Sequence, residues 1–218
     1  MFQLPVSTLV NRRIPKNKFY EKLQANHQLK ELFTEQVEAI IWKHKLSKDT
    51  IRLEPRGDVE EIQIFEVHLK GRKYSVDLLR SIDRAIPYPI LYVLLAEEQA
   101  KLAIAYKERN PSDENRFVVQ SYHETDWQPI EKIELNILQG FDLKAVYENI
   151  IRQLLSVEAE SDVELSVLLE RQARIDKLTK ECERLEARIR AEKQFHRKVD
   201  LNMELQRKKK ELSKLLDA

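Results

Sequence analysis

Residues 60–107, EEIQIFEVHLKGRKYSVDLLRSIDRAIPYPILYVLLAEEQAKLAIAYK, decide the fold of this chain of 218 residues. The alternation at 62–69 predicts a strand, and Ser75 is placed to cap the short amphipathic helix that follows. Pro87 and Pro89 then end the helix, because neither residue continues it and each favours extended backbone before it. We therefore expect a strand–helix–strand unit at the centre of the protein.

The run that follows, Ile90–Ala96, is the most apolar in the chain. Near-continuous apolarity predicts a strand that is covered on both faces of a sheet. Because crossover connections are right-handed, the strand at 62–69 and this strand should be parallel. Residues 102–106 return after a short turn and should pair antiparallel with it.

The remaining segments predict further elements around this unit. Apolar residues recur at helical spacing through 17–46, and Asp142 is placed to cap a helix that ends near Leu155. Alternation predicts strands at 51–53, 117–122 and 133–137. The predicted fold class is therefore α/β, with a mixed, mostly antiparallel sheet and packed helices over residues 1–156. Residues 157–218 should form a long C-terminal coiled-coil helix.

Composition excludes several classes of function. Lysine and arginine number 38 against 37 aspartates and glutamates, so net charge does not indicate a nucleic-acid partner. With 3 glycines, no glycine-rich phosphate loop can be written, and no cofactor is predicted. The single cysteine, Cys182, excludes a disulfide framework and fits a reducing cytoplasm. No apolar run approaches the roughly 20 residues of a membrane span, so we expect a soluble, cytoplasmic protein.

The C-terminal segment carries the strongest pattern for assembly. Apolar residues alternate three and four apart, as in the seam of a coiled coil. Because a long helix gains most of its stability from packing an apolar face, this seam needs a second helix. We predict a homodimer through the seam, in parallel or antiparallel pairing, with a hetero-partner's helix as the alternative. The predicted interface residues are Leu168, Ile175, Leu178, Cys182, Leu185 and Ile189.

A second apolar phase begins near the end of the chain and leaves the course of the helix open. Leu201, Leu205, Leu212 and Leu215 fit this phase better than they fit the first. Such a shift is typical either of a stutter in a continuous coiled coil or of a fold-back near Asp200.

Five segments together resemble a bacterial family of domains of unknown function, numbered forty-three ninety-one. The resemblance implies a role near helicase, methyltransferase and restriction-type proteins, in mobile-element or phage-defence systems. It brings no catalytic residues, and it implies a helicase or methyltransferase as the partner. The segments are LPVSTLVNRRIPKNKFY, LFTEQVEAIIWKHKL, IDRAIPYPI, LAIAYK and DLKAVYENIIRQLL.

A metal-dependent or degenerate restriction-like nuclease is the alternative function. Asp58 lies in a predicted turn, and Glu66 and Lys70 share a strand face by the period of two. A carboxylate pair can hold Mg²⁺ through oxygen ligands. However, the Glu-x-Lys spacing of such nucleases is replaced here by Glu66-Val67-His68, and alternating polar residues on a half-exposed strand explain the same pattern.

Three further residues suggest a polar site without defining one. Asp83 and Arg84, in IDRAIP, and Lys107, in LAIAYK, can form an ion pair or the rim of a pocket. We therefore predict a non-catalytic interaction or accessory subunit of a helicase or restriction-type assembly, self-associating through its C-terminal helix.

Overall fold

The fold is that of a computed structural model, which describes residues 2–110, 113–157 and 163–216. The chain divides into two units, Met1–Leu154 and Leu155–Ala218. The first unit is an α/β domain and the second is a pair of helices. No described helix combines the length and the apolar composition that crossing a membrane requires.

Strands and helices alternate irregularly along the first unit. Its described strands are β1 (Leu9–Arg13), β2 (Val37–Ser47), β3 (Glu61–Leu69), β4 (Ile90–Ala96), β5 (Gln99–Asn110), β6 (Asp113–Glu124) and β7 (Gln128–Pro129). Its described helices are α1 (Lys16–Leu23), α2 (His27–Gln36), α3 (Lys48–Ile51), α4 (Val76–Ala85) and α5 (Leu143–Leu154).

The seven strands form one mixed sheet in the order β1-β2-β3-β4-β5-β6, with β7 beside β5. Strands β3 and β4 pair in parallel, from Gln63 opposite Ile90 to His68 opposite Leu95. The other described pairings are antiparallel. The predicted fold class is therefore confirmed, and so is the parallel pairing across α4.

Strand β4 is buried on both faces, as its composition predicts. Tyr92 and Leu94 point into a core beneath α1, α2 and α4, where Phe33 and Phe65 are also buried. The next residues along the strand, such as Val93, point to the opposite face by the alternation of a strand. Helix α5 packs over β3, β5 and β6 with six buried side chains, and it covers that second face.

The prediction of helix through 17–46 is wrong in its second half. Helix α2 ends at Gln36, and the chain continues directly into the long strand β2. Val37, Ile40 and Ile41 are β-branched and pack well on a pleated surface, although their spacing also fits a helix. Pairing with β1 and β3 decides between the two structures.

Two short predicted strands are also absent from the described sheet. Residue 51 ends the single turn α3, and Arg52 takes the left-handed conformation after it. Residues 133–137 follow a short 3-10 turn and contribute Ile133 and Ile137 to the core without pairing. Apolar alternation there reflects burial of a loop.

The entry to α5 explains one of the three glycines. Asp142 accepts a hydrogen bond from the backbone N–H of Ala145 (2.8 Å), so it caps the helix as predicted. Gly140 has a φ of +152°, and a Cβ there would lie 2.7 Å from the backbone nitrogen of Val146. Only glycine allows the chain to pass this close to the first turn of the helix.

The second unit is a helical hairpin formed by α6 (Leu165–Ala191) and α7 (Phe195–Leu216). Arg174 pairs with Glu211 (2.7 Å), and Glu181 pairs with Lys208 (2.5 Å), so the helices run antiparallel. Apolar contacts between them include Leu168 and Ile175 with Leu212 and Leu215, and Cys182 and Leu185 with Leu205. Of the two alternatives for the C-terminal segment, the structure has the fold-back. It lies at residues 192–194, before Asp200.

We predict that Leu94→Ala lowers the free energy of unfolding by about 2–5 kcal/mol, because it opens a cavity at a fully buried side chain. Leu95→Ala is the matched control, since Leu95 is only half-buried and should cost less. Chemical denaturation monitored by circular dichroism measures both. An unchanged midpoint for Leu94→Ala would contradict the position of β4 in the core.

Candidate functional site

The residues of the alternative nuclease site lie at different places along β3. Asp58 is in the turn before the strand, Glu66 is near its middle, and Lys70 follows its last residue. The strand rises about 16 Å between Glu61 and Glu66, and Asp58 precedes Glu61 by three further residues. Asp58 and Glu66 therefore belong to different elements, a turn and a strand, and the role of either in a nuclease site stays a prediction.

Glu66 instead has a cation from the neighbouring strand. Its carboxylate lies 3.3 Å from Nζ of Lys43, and its side chain is 11% exposed. Both residues line a small cavity of about 210 Å³ with His44, Ile64 and Val93. Burial lowers the pKa of His44, and Lys43 lowers it further, while Glu66 opposes the shift. Among the described residues, no three histidine, cysteine or carboxylate side chains are arranged to hold a metal ion.

A buried ion pair joins α4 to β5 elsewhere in the domain. Oδ1 of Asp83 lies 2.8 Å from Nζ of Lys107, and the two side chains are 0% and 1% exposed. The sequence suggested either an ion pair or a pocket rim for Asp83, Arg84 and Lys107. The structure forms the ion pair between Asp83 and Lys107 and leaves Arg84 exposed.

Two backbone carbonyls and one tyrosine hydroxyl also contact this pair. Nζ of Lys107 also donates to the carbonyls of Ile86 (3.0 Å) and Tyr88 (2.7 Å). Oδ2 of Asp83 accepts a short hydrogen bond from the hydroxyl of Tyr122. Nζ of Lys107 therefore makes two hydrogen bonds to backbone carbonyls and a charge contact with Oδ1 of Asp83, an oxygen that has no hydrogen-bond partner among the described residues.

Helix α5 is fixed to the same place from the other face of the sheet. The hydroxyl of Tyr147 donates to the carbonyl of Ala105 (2.6 Å) and accepts from the backbone N–H of Lys107 (2.8 Å). The polar cluster, which comprises Asp83, Lys107, Tyr122 and Tyr147, thus connects helices from both layers to β5 and β6.

Burial dominates the titration of this polar cluster. It raises the pKa of Asp83 although Lys107 and the hydroxyl of Tyr122 favour the charged carboxylate. It lowers the pKa of Lys107 against the attraction of Asp83. It also raises the pKa of Tyr122, and the nearby Asp83 raises it further. Both members of the ion pair are therefore harder to charge than in water, which is the cost of burying them.

A groove of about 500 Å³ adjoins the polar cluster. Its walls come from the end of α1, from the end of α4 with the following loop, and from β6. Four of the seven described lining residues belong to the IDRAIP segment. The lining residues are Lys22, Leu23, Asp83, Arg84, Ala85, Pro87 and Phe117.

The predicted interface residues lie on the seam between α6 and α7. Leu168, Ile175, Leu178, Cys182 and Leu185 are 3–6% exposed, and Ile189 packs at the edge of the same contact. The seam therefore has its second helix within the chain. Association of two copies through these residues stays a prediction.

Helix α7 carries a second apolar stripe on its outer side. Phe195, Val199 and Met203 follow one another by four residues and are 76%, 40% and 68% exposed. Leu205, which faces α6, follows Met203 by two residues and so lies about 200° round the helix. This outer stripe is not part of the packing within the hairpin.

Sequence reasoning missed the partners that complete these sites. Lys43 was assigned to a helix, which hid its contact with Glu66 across two strands. Tyr122 and Tyr147 were assigned to a strand and to an apolar helix face, although a buried tyrosine usually needs a hydrogen-bond partner. That need is the signal that could have drawn attention to them.

A double-mutant cycle tests the energetics of the buried pair. Asp83→Asn and Lys107→Met should each lower the free energy of unfolding by about 3–5 kcal/mol, because each leaves one buried charge unpaired. The double variant should recover part of this loss. Chemical denaturation at pH 7 measures the four proteins.

The control is Arg80→Met, which removes an exposed ion pair with Asp77 on the same helix. It should change stability little. Losses that add fully in the double variant would show that Asp83 and Lys107 are not coupled.

We also predict that the isolated protein does not hydrolyse DNA or RNA with Mg²⁺ or Mn²⁺. The reason is that the Glu-x-Lys spacing of such nucleases is absent and that Lys43 already neutralises Glu66. A nuclease assay with each ion checks this. Metal-dependent cleavage that disappears in folded Glu66→Ala, but persists in Glu60→Ala at an exposed position just before the strand, would overturn the prediction.

Comparison with known proteins identifies the family but no activity. Searches among curated proteins and among solved structures give no match. The sequence matches one family, over residues 2–212, which include both units almost completely. The chain therefore belongs to the family described as Domain of unknown function (DUF4391).

Proposed function

We propose that this protein is a non-catalytic accessory subunit that docks a partner protein through the outer stripe of α7, in a bacterial helicase or restriction-type defence assembly. The observation that carries the docking role is the exposure of Phe195, Val199 and Met203 on one side of a helix. Exposed apolar residues that are contiguous on a surface are typical of an interaction site. The kind of assembly is supported by the family resemblance alone.

The charges beside the outer stripe favour a particular partner. Lys210 and Lys214 follow Met203 by seven and eleven residues, so they continue the same side of α7. A partner helix with an apolar half and an acidic half would match this side. Two copies of α7 would not match each other on this side. In a parallel pair the lysines of one copy would face the lysines of the other, and in an antiparallel pair they would face the apolar residues.

Self-association has a separate support in the α6–α7 seam. A connection of three residues, 192–194, separates the two helices. Exchange of α7 between two chains would reproduce the contacts of Leu178, Cys182 and Leu205 in an intertwined dimer. We therefore propose exchange of α7 as the route by which the predicted homodimer would form.

The docking proposal predicts that Val199→Asp with Met203→Asp abolishes partner binding while the hairpin stays folded. Both side chains lie away from the seam, so the change affects the outer stripe only. The full chain would be co-expressed in turn with each helicase or methyltransferase encoded near its gene, and complexes would be isolated by affinity and size.

Val167→Asp is the matched control, because Val167 is an exposed apolar residue of α6 outside the stripe. A specific complex that survives the double substitution would refute docking through α7. Loss of the complex in Val167→Asp as well would point to general damage to the hairpin.

Light scattering of the full chain over a range of concentrations tests the exchanged dimer. We expect a dimer that separates slowly, since exchange requires α6 and α7 to part. A monomer at all concentrations would refute self-association and leave the hetero-partner.

A further inference from the structure

The groove beside the polar cluster contains two cations for which the described residues provide no ion-pair partner. Lys22 comes from α1 and Arg84 from α4, and both are exposed. Within the described part of the chain, neither makes a hydrogen bond or an ion pair. Among the described lining residues, Asp83 is the only carboxylate, and Lys107 compensates it. Lys22 and Arg84, each in the last turn of its helix, are thus the uncompensated side-chain charges of the described lining.

The walls of the groove are fixed by the polar cluster. Lys107 binds the carbonyls of Ile86 and Tyr88, which flank Pro87 in the wall. Tyr122 holds Asp83 from β6, the strand that also provides Phe117. A buried ion pair is weak as a source of stability, but here it holds the backbone of a binding surface in one arrangement. A preformed site loses less entropy when a ligand binds.

We propose that this groove binds a small ligand with at least two negative charges, of the pyrophosphate or nucleotide class. Lysine and arginine are the side chains that bind phosphate oxygens, arginine with two parallel donors. The volume of about 500 Å³ fits the usual range of small-molecule sites. Phe117 and Pro87 add an apolar wall against which a base or another ring can lie.

The surroundings limit the size of this ligand. A second groove of about 580 Å³ shares Leu23 and Arg84 with the first, and Glu31, Glu35 and Asp77 line it. These carboxylates would repel an anion that extended past Arg84. The charged part of the ligand therefore stays between Lys22 and Arg84, which excludes a long polyanion lying along both grooves.

Isothermal titration calorimetry on the full chain tests the proposal, with pyrophosphate, ATP, inorganic phosphate and adenosine as probes. We expect pyrophosphate and ATP to bind saturably at one site, phosphate to bind more weakly, and adenosine not to bind. Affinity should fall as salt increases, because the interaction is between charges at a partly exposed site. Tighter binding of ATP than of pyrophosphate would show that the apolar wall contributes.

Matched variants locate the site. Arg84→Ala and Lys22→Ala should each weaken pyrophosphate binding by about tenfold or more, as for loss of a charged hydrogen bond. Arg80→Ala and Lys18→Ala are the controls, since each lies one turn earlier on the same helix and lines neither groove. They should leave affinity unchanged. Circular dichroism of each variant checks that it is folded.

Several results would overturn the proposal. A failure of pyrophosphate and ATP to show saturable binding would contradict it, and so would adenosine that binds as tightly as ATP. A loss of affinity in the control variants as large as in Arg84→Ala and Lys22→Ala would contradict it too. Unchanged affinity in both Arg84→Ala and Lys22→Ala would do the same. The outcome is independent of docking through α7, because the groove lies wholly in the first unit.

Discussion

The burial of β4 on both faces is the constraint on which the α/β domain depends. A strand with Tyr92 and Leu94 on one side and Leu91 and Val93 on the other must have a helical layer over each face. Helices α1, α2 and α4 form one layer, and α5 forms the other. The parallel pairing with β3 follows from the same requirement, since α4 has to cross over the sheet to connect them.

The polar cluster shows how such a core can contain charge. Asp83 and Lys107 lose their hydration completely, and their mutual attraction alone does not compensate for that loss. The carbonyls of Ile86 and Tyr88 and the hydroxyl of Tyr122 supply the missing partners. The result is a network that connects a helix, a loop and two strands at fixed positions. Lys107 is enclosed by these groups, and it holds the backbone of Ile86 and Tyr88 in place.

Sequence reasoning succeeded where one local pattern had one structural meaning. The apolar run of β4, the cap at Ser75 and the cap at Asp142 each predicted the observed element. It failed over 37–46, where the spacing suited both helix and strand and pairing with distant strands made the choice. The polar sites were harder still to predict, because their side chains come from segments that are far apart in the sequence. Asp83 and Tyr122 are separated by 39 residues, and no local pattern shows that they meet.

The position of α5 has a consequence for the order in which the chain becomes stable during synthesis. Strands β1 to β7 are complete by Pro129, but the second face of the sheet stays uncovered until residues 143–154 have left the ribosome. A nascent chain that stops before them lacks the helix that packs on β3, β5 and β6, and it leaves apolar surface of these strands exposed to water and to other chains. The hairpin of α6 and α7 has local contacts and can form quickly afterwards. We therefore expect the sheet to become fully stable only after α5 has been added to it.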